Sequence, residues 1–338
     1  MTGGLSAVFV THDSEHCIED ALASVRRHFP DAELVVVDNA SRDRTREVVE
    51  SFGGAQLVAQ EENLGFGRAC NLGVDNSTGT HLLFVNPDAR IVSVNSGALQ
   101  ELLGARPCGL VGPYFVTPNA SAGSVRGGLR TERHWLYDYL SQTFGLLRPR
   151  ELPPRPPRAR PGGARWLSAS VVLAEREELD RLGRFDPRFF LYYEDRELSA
   201  RYRDAGLPIR STPAICVAHR GGDSSRVNGF RTAPHGWALL GWIQYLDLRH
   251  GPRVAGRAGW LTLRTLKWLE AGLRITPLVA APRLERKRRE VAMLLDFIAD
   301  VTARPSVPPR DFCPSAIRHL AQPSRFRHRI LRGPGRAH

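Results

Sequence analysis

The chain has 338 residues, with 47 Lys and Arg against 35 Asp and Glu and a formal net charge of +12. Its 42% hydrophobic and 24% charged residues are those of a folded globular protein, which excludes collagen, low-complexity disorder and a disulfide miniprotein. Only two of the positive residues are lysines, Lys267 and Lys287, so the charge reads as a general preference for arginine and not as a nucleic-acid footprint, while remaining compatible with nucleotides, diphosphates and membrane headgroups.

The first hundred residues alternate short apolar runs with helical patterns. Leu5 to Val10 reads as a buried strand and Ile18 to Phe29 as a helix. Leu34 to Val37 is a second strand ending at Asp38, and Arg44 to Phe52 a helix. Gln56 to Ala59, Phe66 to Asn76 and His81 to Val85 then give strand, helix and strand. This alternation predicts a parallel sheet with right-handed crossovers. Ligands of such sheets sit beyond the carboxyl ends of the strands. The polar residues just past those ends are therefore the ones to weigh: Thr11 to Asp13, Asp38–Asn39, and Asn86–Pro87–Asp88.

Residues 148–163 carry six prolines among many arginines, which rules out a helix or an inner strand. The segment reads as either an exposed mobile loop or a spacer inside the domain. Trp166 to Ala174 is strand-like, and Glu175 to Leu182 and Leu198 to Ala205 are helical. From about Phe230 the character changes to amphipathic helices: Trp237 to Leu248, Trp260 to Leu273 and Arg283 to Ala299. The last twenty or so residues read as a frayed tail. The five cysteines are widely spaced, with no C-x-x-C pair, which suggests buried thiols and neither a zinc site nor a disulfide framework. No signal-peptide pattern and no long uncharged apolar window is visible, so the expectation is a cytoplasmic protein, with contact at the inner face of the membrane left open.

Five stretches could carry chemistry. Asp38 ends a strand, where a carboxylate can accept hydrogen bonds from a base or ribose; Asn39 and Ser41 could equally cap the next helix. Asn63, Gly65 and Arg68 flank a glycine-rich strand-to-helix loop open to an anion, and Arg68 opposes the helix dipole. Asn86–Pro87–Asp88 leaves Asp88 as a hard oxygen ligand. Glu194–Asp195 follows an aromatic run, Phe189 to Tyr193, that could raise a carboxylate pKa or stack on a sugar; the same pair could merely begin a helix. His219 leaves a strand into a glycine-rich loop, and could touch a metal or a phosphate.

In this order, VVVDNASRD, NLGFGRACNLG, FVNPDA, GRFDPRFFLYYEDREL and HRGGDSS resemble the inverting family 2 glycosyltransferases, nearest to a bacterial rhamnosyltransferase-like branch. The likeness runs from Leu5 to about Ser225. It implies an α/β fold of the GT-A, Rossmann-like kind over 1–229, with 148–163 a mobile loop inside it, and a C-terminal helical extension over 230–338. It implies a nucleoside diphosphate sugar donor at Thr11, Asp13, Asp38, Asn63, Gly65, Arg68 and Asn86. It implies Mg²⁺ or Mn²⁺ on Asp88, with His219 as a further ligand. Asp195 would be the general base and Glu194 its support, with acceptor contacts at Trp166, Ser168, Tyr192 and Tyr193.

The chain departs from the family pattern in places. Asn86 stands where a first metal-motif Asp is usual, and Trp166 to Ser170 and Arg184 stand where glycines are common. The resemblance thus implies dTDP-L-rhamnose as donor and a glycolipid or small-molecule acceptor. Another sugar (a hexosamine, galactofuranose or an unusual deoxysugar) on a secondary metabolite is the alternative. A glycosidase or a non-catalytic sugar-nucleotide binder are the competing classes. Trp237, Trp242, Trp260 and Trp268 among basic residues could rest on a membrane or pack in a core or homodimer interface.

Overall fold

The computed structural model describes residues 4–116, 125–127, 129–131, 165–219, 233–275 and 282–303. The segment at 148–163, the loop after His219, Cys313 and the C-terminal tail lie outside them. The described residues fall into two compact units, one of 4–116, 125–127, 129–131, 165–187 and 194–219, the other of 188–193, 233–275 and 282–303.

The first unit is built on a mixed sheet in the order β3-β2-β1-β4-β10-β6-β11-β5, with β7 (Val125–Gly127) paired to β6. Its parallel half is the expected one: β1 (Leu5–Thr11), β2 (Glu33–Asp38), β3 (Ala55–Ala59) and β4 (His81–Val85). Their crossovers are helices α1 (Ile18–His28), α2 (Thr45–Phe52) and α3 (Phe66–Asp75). The other half departs from the all-parallel expectation. β10 (Val171–Glu175) runs antiparallel to both β4 and β6 (Leu110–Val116), and β11 (Ile209–His219) runs antiparallel to β5 (Ala89–Val94). Helix α4 (Ser96–Gly104) links β5 to β6. The strand expected over Trp166 to Ala174 is two: β9 (Arg165–Leu167) pairs with β8 (Leu129–Thr131), and a turn at 168–170 precedes β10. Helices α5 (Arg176–Arg181) and α6 (Glu194–Asp204) complete the unit.

The strands read as continuous apolar runs because both faces of the sheet are covered. Alternation sorts their side chains. Leu5, Ala7 and Phe9 of β1 join Leu34, Val36, Leu83 and Val85 in a core with Ile18, Leu22 and Val25 of α1. Val8 and Val10 join Val37, Leu82 and Phe84 in a second core with Ala69, Cys70 and Val74 of α3 and Leu198 and Tyr202 of α6. Helix α3 lies so near β1 that a Cβ on Gly73 would sit 2.3 Å from Val8 Cγ1. Only glycine permits that approach.

The second unit holds helices α7 (Ala233–His250), α8 (Pro252–Ile275) and α9 (Pro282–Ala303), which pack on one another. Phe190 stacks 4.3 Å from Trp237, which in turn meets Phe297 edge-on at 5.6 Å. Trp242 is buried, Trp237 and Trp260 are half-buried, and Trp268 is exposed. The four tryptophans that look alike in the sequence therefore split into core and surface. No helix of the described residues is long and apolar enough to cross a membrane.

Candidate active site

Three loops at the carboxyl ends of the parallel strands are knitted together through Asp38 and Asn39. Asp38 is fully buried. Its Oδ1 accepts from Thr11 Oγ1 at 3.1 Å and from the Ser41 hydroxyl, and its Oδ2 from the Ser41 N–H at 3.1 Å and Arg46 Nε at 2.6 Å. Arg46 is held in its charged form by that carboxylate, which raises its pKa. Asn39 does not cap α2, as its position in the sequence suggested. Its Oδ1 accepts from the Leu64 N–H at 2.7 Å, and its Nδ2 donates to Asn63 Oδ1 at 2.8 Å. Asn63 Oδ1 also accepts from the Gly65 N–H at 2.9 Å, and Gly65 enters α3 at φ 79°. Ser41 also accepts from the Asp13 N–H at 2.9 Å, and Asp13 Oδ1 accepts from the Arg42 N–H at 2.7 Å. Asp13 (φ 50°) and Ala40 (φ 62°) are both left-handed, a cost that this network sustains. Thr11, Asp13, Asp38, Asn63 and Gly65 are thus brought together, while both oxygens of Asp38 are already engaged.

At the end of β4 the backbone turns through Asn86 to Ala89, the Ala89 N–H bonding the Asn86 carbonyl at 3.0 Å. His219, at the end of β11, places Nε2 3.1 Å from Asp88 Oδ1. The two residues are 131 apart in sequence, and β11 delivers His219 opposite Ala89 of β5. Asn86 Oδ1 is buried without a hydrogen-bond partner, an unusual condition that marks a group awaiting one. Asp88 also lines a cavity of about 390 Å³ with Cys17, Asp20, Pro87 and Arg90. A carboxylate, an imidazole and an amide oxygen are donors that suit Mg²⁺ or Mn²⁺. Among the described residues no group of three or more His, Cys, Asp or Glu could hold a metal by itself.

The carboxylate pair lies next to this turn. The Asn86 N–H bonds the Ser170 carbonyl at 2.8 Å, and the Ala169 N–H donates to Asp195 Oδ2 at 3.3 Å. The Arg196 N–H donates to Asp195 Oδ1 at 2.8 Å. One short run of backbone therefore links Asp195 to Asn86, two residues from Asp88. Ser168 sits in the same turn and accepts from the Ser170 N–H at 3.4 Å. Trp166 is buried under Arg196, whose guanidinium carbon lies 4.4 Å from its ring.

Glu194 is a buried carboxyl whose Oε2 has no hydrogen-bond partner. Burial first, and the neighbouring Asp195 charge second, push its pKa well above the ordinary range. The Cys70 thiol is pushed up as well, by burial and then by Glu194. The first turn of α3 approaches Glu194 closely: a Cβ on Gly67 would lie 3.2 Å from Phe185 Cβ and 3.8 Å from Glu194 Cβ. Arg68 Nε donates to the Pro187 carbonyl at 3.0 Å. Asn71 clamps the same turn from both sides, donating to the Phe185 carbonyl at 2.8 Å and accepting from the Phe185 N–H at 3.1 Å.

Tyr192 and Tyr193 belong to the second unit. They are consecutive left-handed residues (φ 69° and 73°), a strained arrangement for bulky side chains. Tyr193 is buried against Tyr245, while Tyr192 is exposed. A Cβ on Gly241 of α7 would sit 2.5 Å from the Tyr192 carbonyl oxygen, so α7 touches the strained pair at backbone distance.

Comparison with known proteins agrees with this architecture. The family described as Glycosyl transferase family 2 matches residues 6–140. The N-acetylglucosaminyl-diphospho-decaprenol L-rhamnosyltransferase of Mycobacterium tuberculosis is 27% identical over 251 residues, 65% of this chain and 76% of that protein. The rhamnosyltransferase WbbL of Escherichia coli K12 is 22% identical over 256 residues, 71% of this chain and 91% of that protein. In fold the chain is similar to GalNAc-T7, solved with UDP, GalNAc and Mn²⁺. The TM-score is 0.52 at 18% identity, covering 91% of this chain but only 59% of that one. The fold is that of the GT-A enzymes, and the protein is a glycosyltransferase. Residues 6–140 resemble family 2, and the curated relatives named above are rhamnosyltransferases.

Proposed function

We propose that this enzyme moves L-rhamnose from dTDP-L-rhamnose to an acceptor hydroxyl by a single displacement with inversion, using Asp195 as general base. The observation that carries this reading is the short backbone path joining Asp195, through Ala169 and Ser170, to the Asn86–Asp88 turn. That path supports Asp195 as a base acting beside a group suited to a diphosphate. The knitted loops at Thr11, Asp13, Asp38, Asn63 and Gly65 would receive the nucleoside, with Asp38 acting mainly by shaping the pocket because its own oxygens are engaged. The N-terminal turn of α3 and Arg68 favour negative charge nearby.

Asp88 and His219, with Asn86 beside them, would hold Mg²⁺ or Mn²⁺, and the diphosphate oxygens would complete the shell. Bound there, the ion supplies charge neutralisation for the leaving diphosphate. Asp195 takes the proton from the acceptor hydroxyl as its oxygen bonds to the anomeric carbon. The bond from that carbon to the diphosphate oxygen breaks, and the nucleoside diphosphate leaves. The transition state has oxocarbenium character, as in other glycosyl transfer. Because the acceptor oxygen attacks the anomeric carbon directly from the face opposite the diphosphate, the configuration inverts. Burial and the neighbouring Asp195 charge raise the Glu194 pKa, which favours its neutral form beside the proposed base. Trp166 and Ser168 would stand on the acceptor side of that base.

The rhamnose assignment rests on the names of the relatives, and the first of them supports a polyprenyl-diphosphate glycolipid as acceptor. The test is donor consumption with a panel of dTDP-, UDP- and GDP-sugars plus Mn²⁺ and a membrane glycolipid extract, with the product's anomeric proton coupling read by NMR. Turnover of dTDP-L-rhamnose with inversion supports the proposal. Turnover confined to a UDP- or GDP-sugar would overturn the donor, and retention would overturn the single displacement.

A further inference from the structure

One face of α8 carries a line of exposed apolar side chains among the described residues. Helix α8 packs against α7 and α9 through Ala255, Gly259, Thr262 and Leu266, which are buried or nearly so. On the other side Val254 is 43% exposed, Leu261 55% and Trp268 73%. The three stand seven residues apart, two helical turns, so they form one line roughly 21 Å long. Large apolar side chains this exposed, aligned on one stripe, call for a partner.

The residues around the stripe are cations. Arg253, Arg257, Arg264 and Lys267 are all exposed, and Arg257 and Arg264 repeat the seven-residue step. The Arg264 guanidinium lies 4.9 Å from the half-buried Trp260 ring, which aims it along the same side. The helix holds one acid, Glu270, and by helical spacing it falls away from this face.

We infer that this face of α8 rests on the surface of an anionic lipid bilayer. A second protein helix fits poorly. A coiled-coil seam needs apolar residues at both positions of the heptad, and here the second position is Arg257 and then Arg264. A two-fold contact between copies would set these cations against themselves. An anionic headgroup layer receives both parts of the pattern: the tryptophan and aliphatic line enters the interfacial zone while the arginines meet phosphates. The inference stands on the helix alone and holds whether or not the acceptor is a lipid.

The test is co-sedimentation of the full-length chain with vesicles of phosphatidylcholine alone or mixed equally with phosphatidylglycerol, at low and high NaCl. The wild type should partition onto the mixed vesicles, weaken with salt, and bind neutral vesicles poorly. The double change Leu261→Asp with Trp268→Asp should cut partitioning by about tenfold or more, as should Arg257→Glu with Arg264→Glu. Both pairs are exposed, so the helical circular dichroism and melting temperature should stay near wild type. Binding that ignores the phosphatidylglycerol content in the wild type alone, or variants that partition as the wild type does, would overturn the inference. So would a concentration-dependent dimer that Leu261→Asp dissociates in the absence of vesicle binding.

Discussion

Asp38 and Glu194 are both buried carboxylic acids near the ends of the same sheet, yet their surroundings are opposite. Asp38 has both oxygens filled by Thr11, Ser41 and Arg46, whereas Glu194 has an oxygen with no partner, a like charge beside it and a raised pKa. Protein interiors rarely leave a polar atom unpaired. Where they do, the stability lost is commonly retained for function. On the proposed function, the first region is a finished scaffold for the nucleoside and the second is where charge would move.

Perturbing each side separately should expose this division. The largest effect belongs to Asp195→Asn, which keeps the shape and removes the proposed base. Transfer should fall by about 10³-fold, within the range of lost general-base catalysis, measured as nucleoside diphosphate release. Asp88→Ala comes next. Nucleotide affinity in the presence of Mn²⁺ should drop by about 10–100-fold, while affinity without metal stays as it is; calorimetry with and without Mn²⁺ reads both.

On the scaffold side, Asp38→Ala strips Arg46, Ser41 and Thr11 of their shared partner. It should cost about 2–3 kcal/mol of stability in urea unfolding, below the full penalty of a buried pair because Arg46 can turn toward water. The smallest effect is that of Glu194→Gln. The folded chain holds the Glu194 proton more tightly than the unfolded chain, where the ordinary value is 4.5. The proton then favours folding most below about that pH, and this contribution fades as pH rises toward the raised folded value. Gln cannot ionise, so the melting temperature of the variant relative to wild type should climb from pH 4.5 upward. A flat difference across that range would show that Glu194 is not held neutral.

The parallel half of the fold was legible because β1, β2 and β4 are unbroken apolar runs and the polar residues change at each strand end. The mixed half was not. Nothing local in Leu110 to Val116 or Val171 to Glu175 sets strand direction, which comes from pairings such as Val171 with Val85. Asp88 and His219 stood out singly by residue type, but their 3.1 Å approach depends on strand order. Asn39 and Asn71 passed as turn and helix residues, since an amide bridging two loops leaves no periodic mark. The composition of α8 showed tryptophans and arginines, but only the packing of α7 and α9 decides which of them face solvent.

The proposed nucleoside scaffold and the proposed reacting pair should act separately. The most direct measurement is a calorimetric titration of wild type and Asp195→Asn with dTDP in the presence of Mn²⁺, alongside turnover of dTDP-L-rhamnose by both. The two dissociation constants should agree within about twofold, and turnover should fall by about 10³-fold in the variant. Loss of nucleotide binding in the variant, or turnover at the wild-type rate, would contradict that separation.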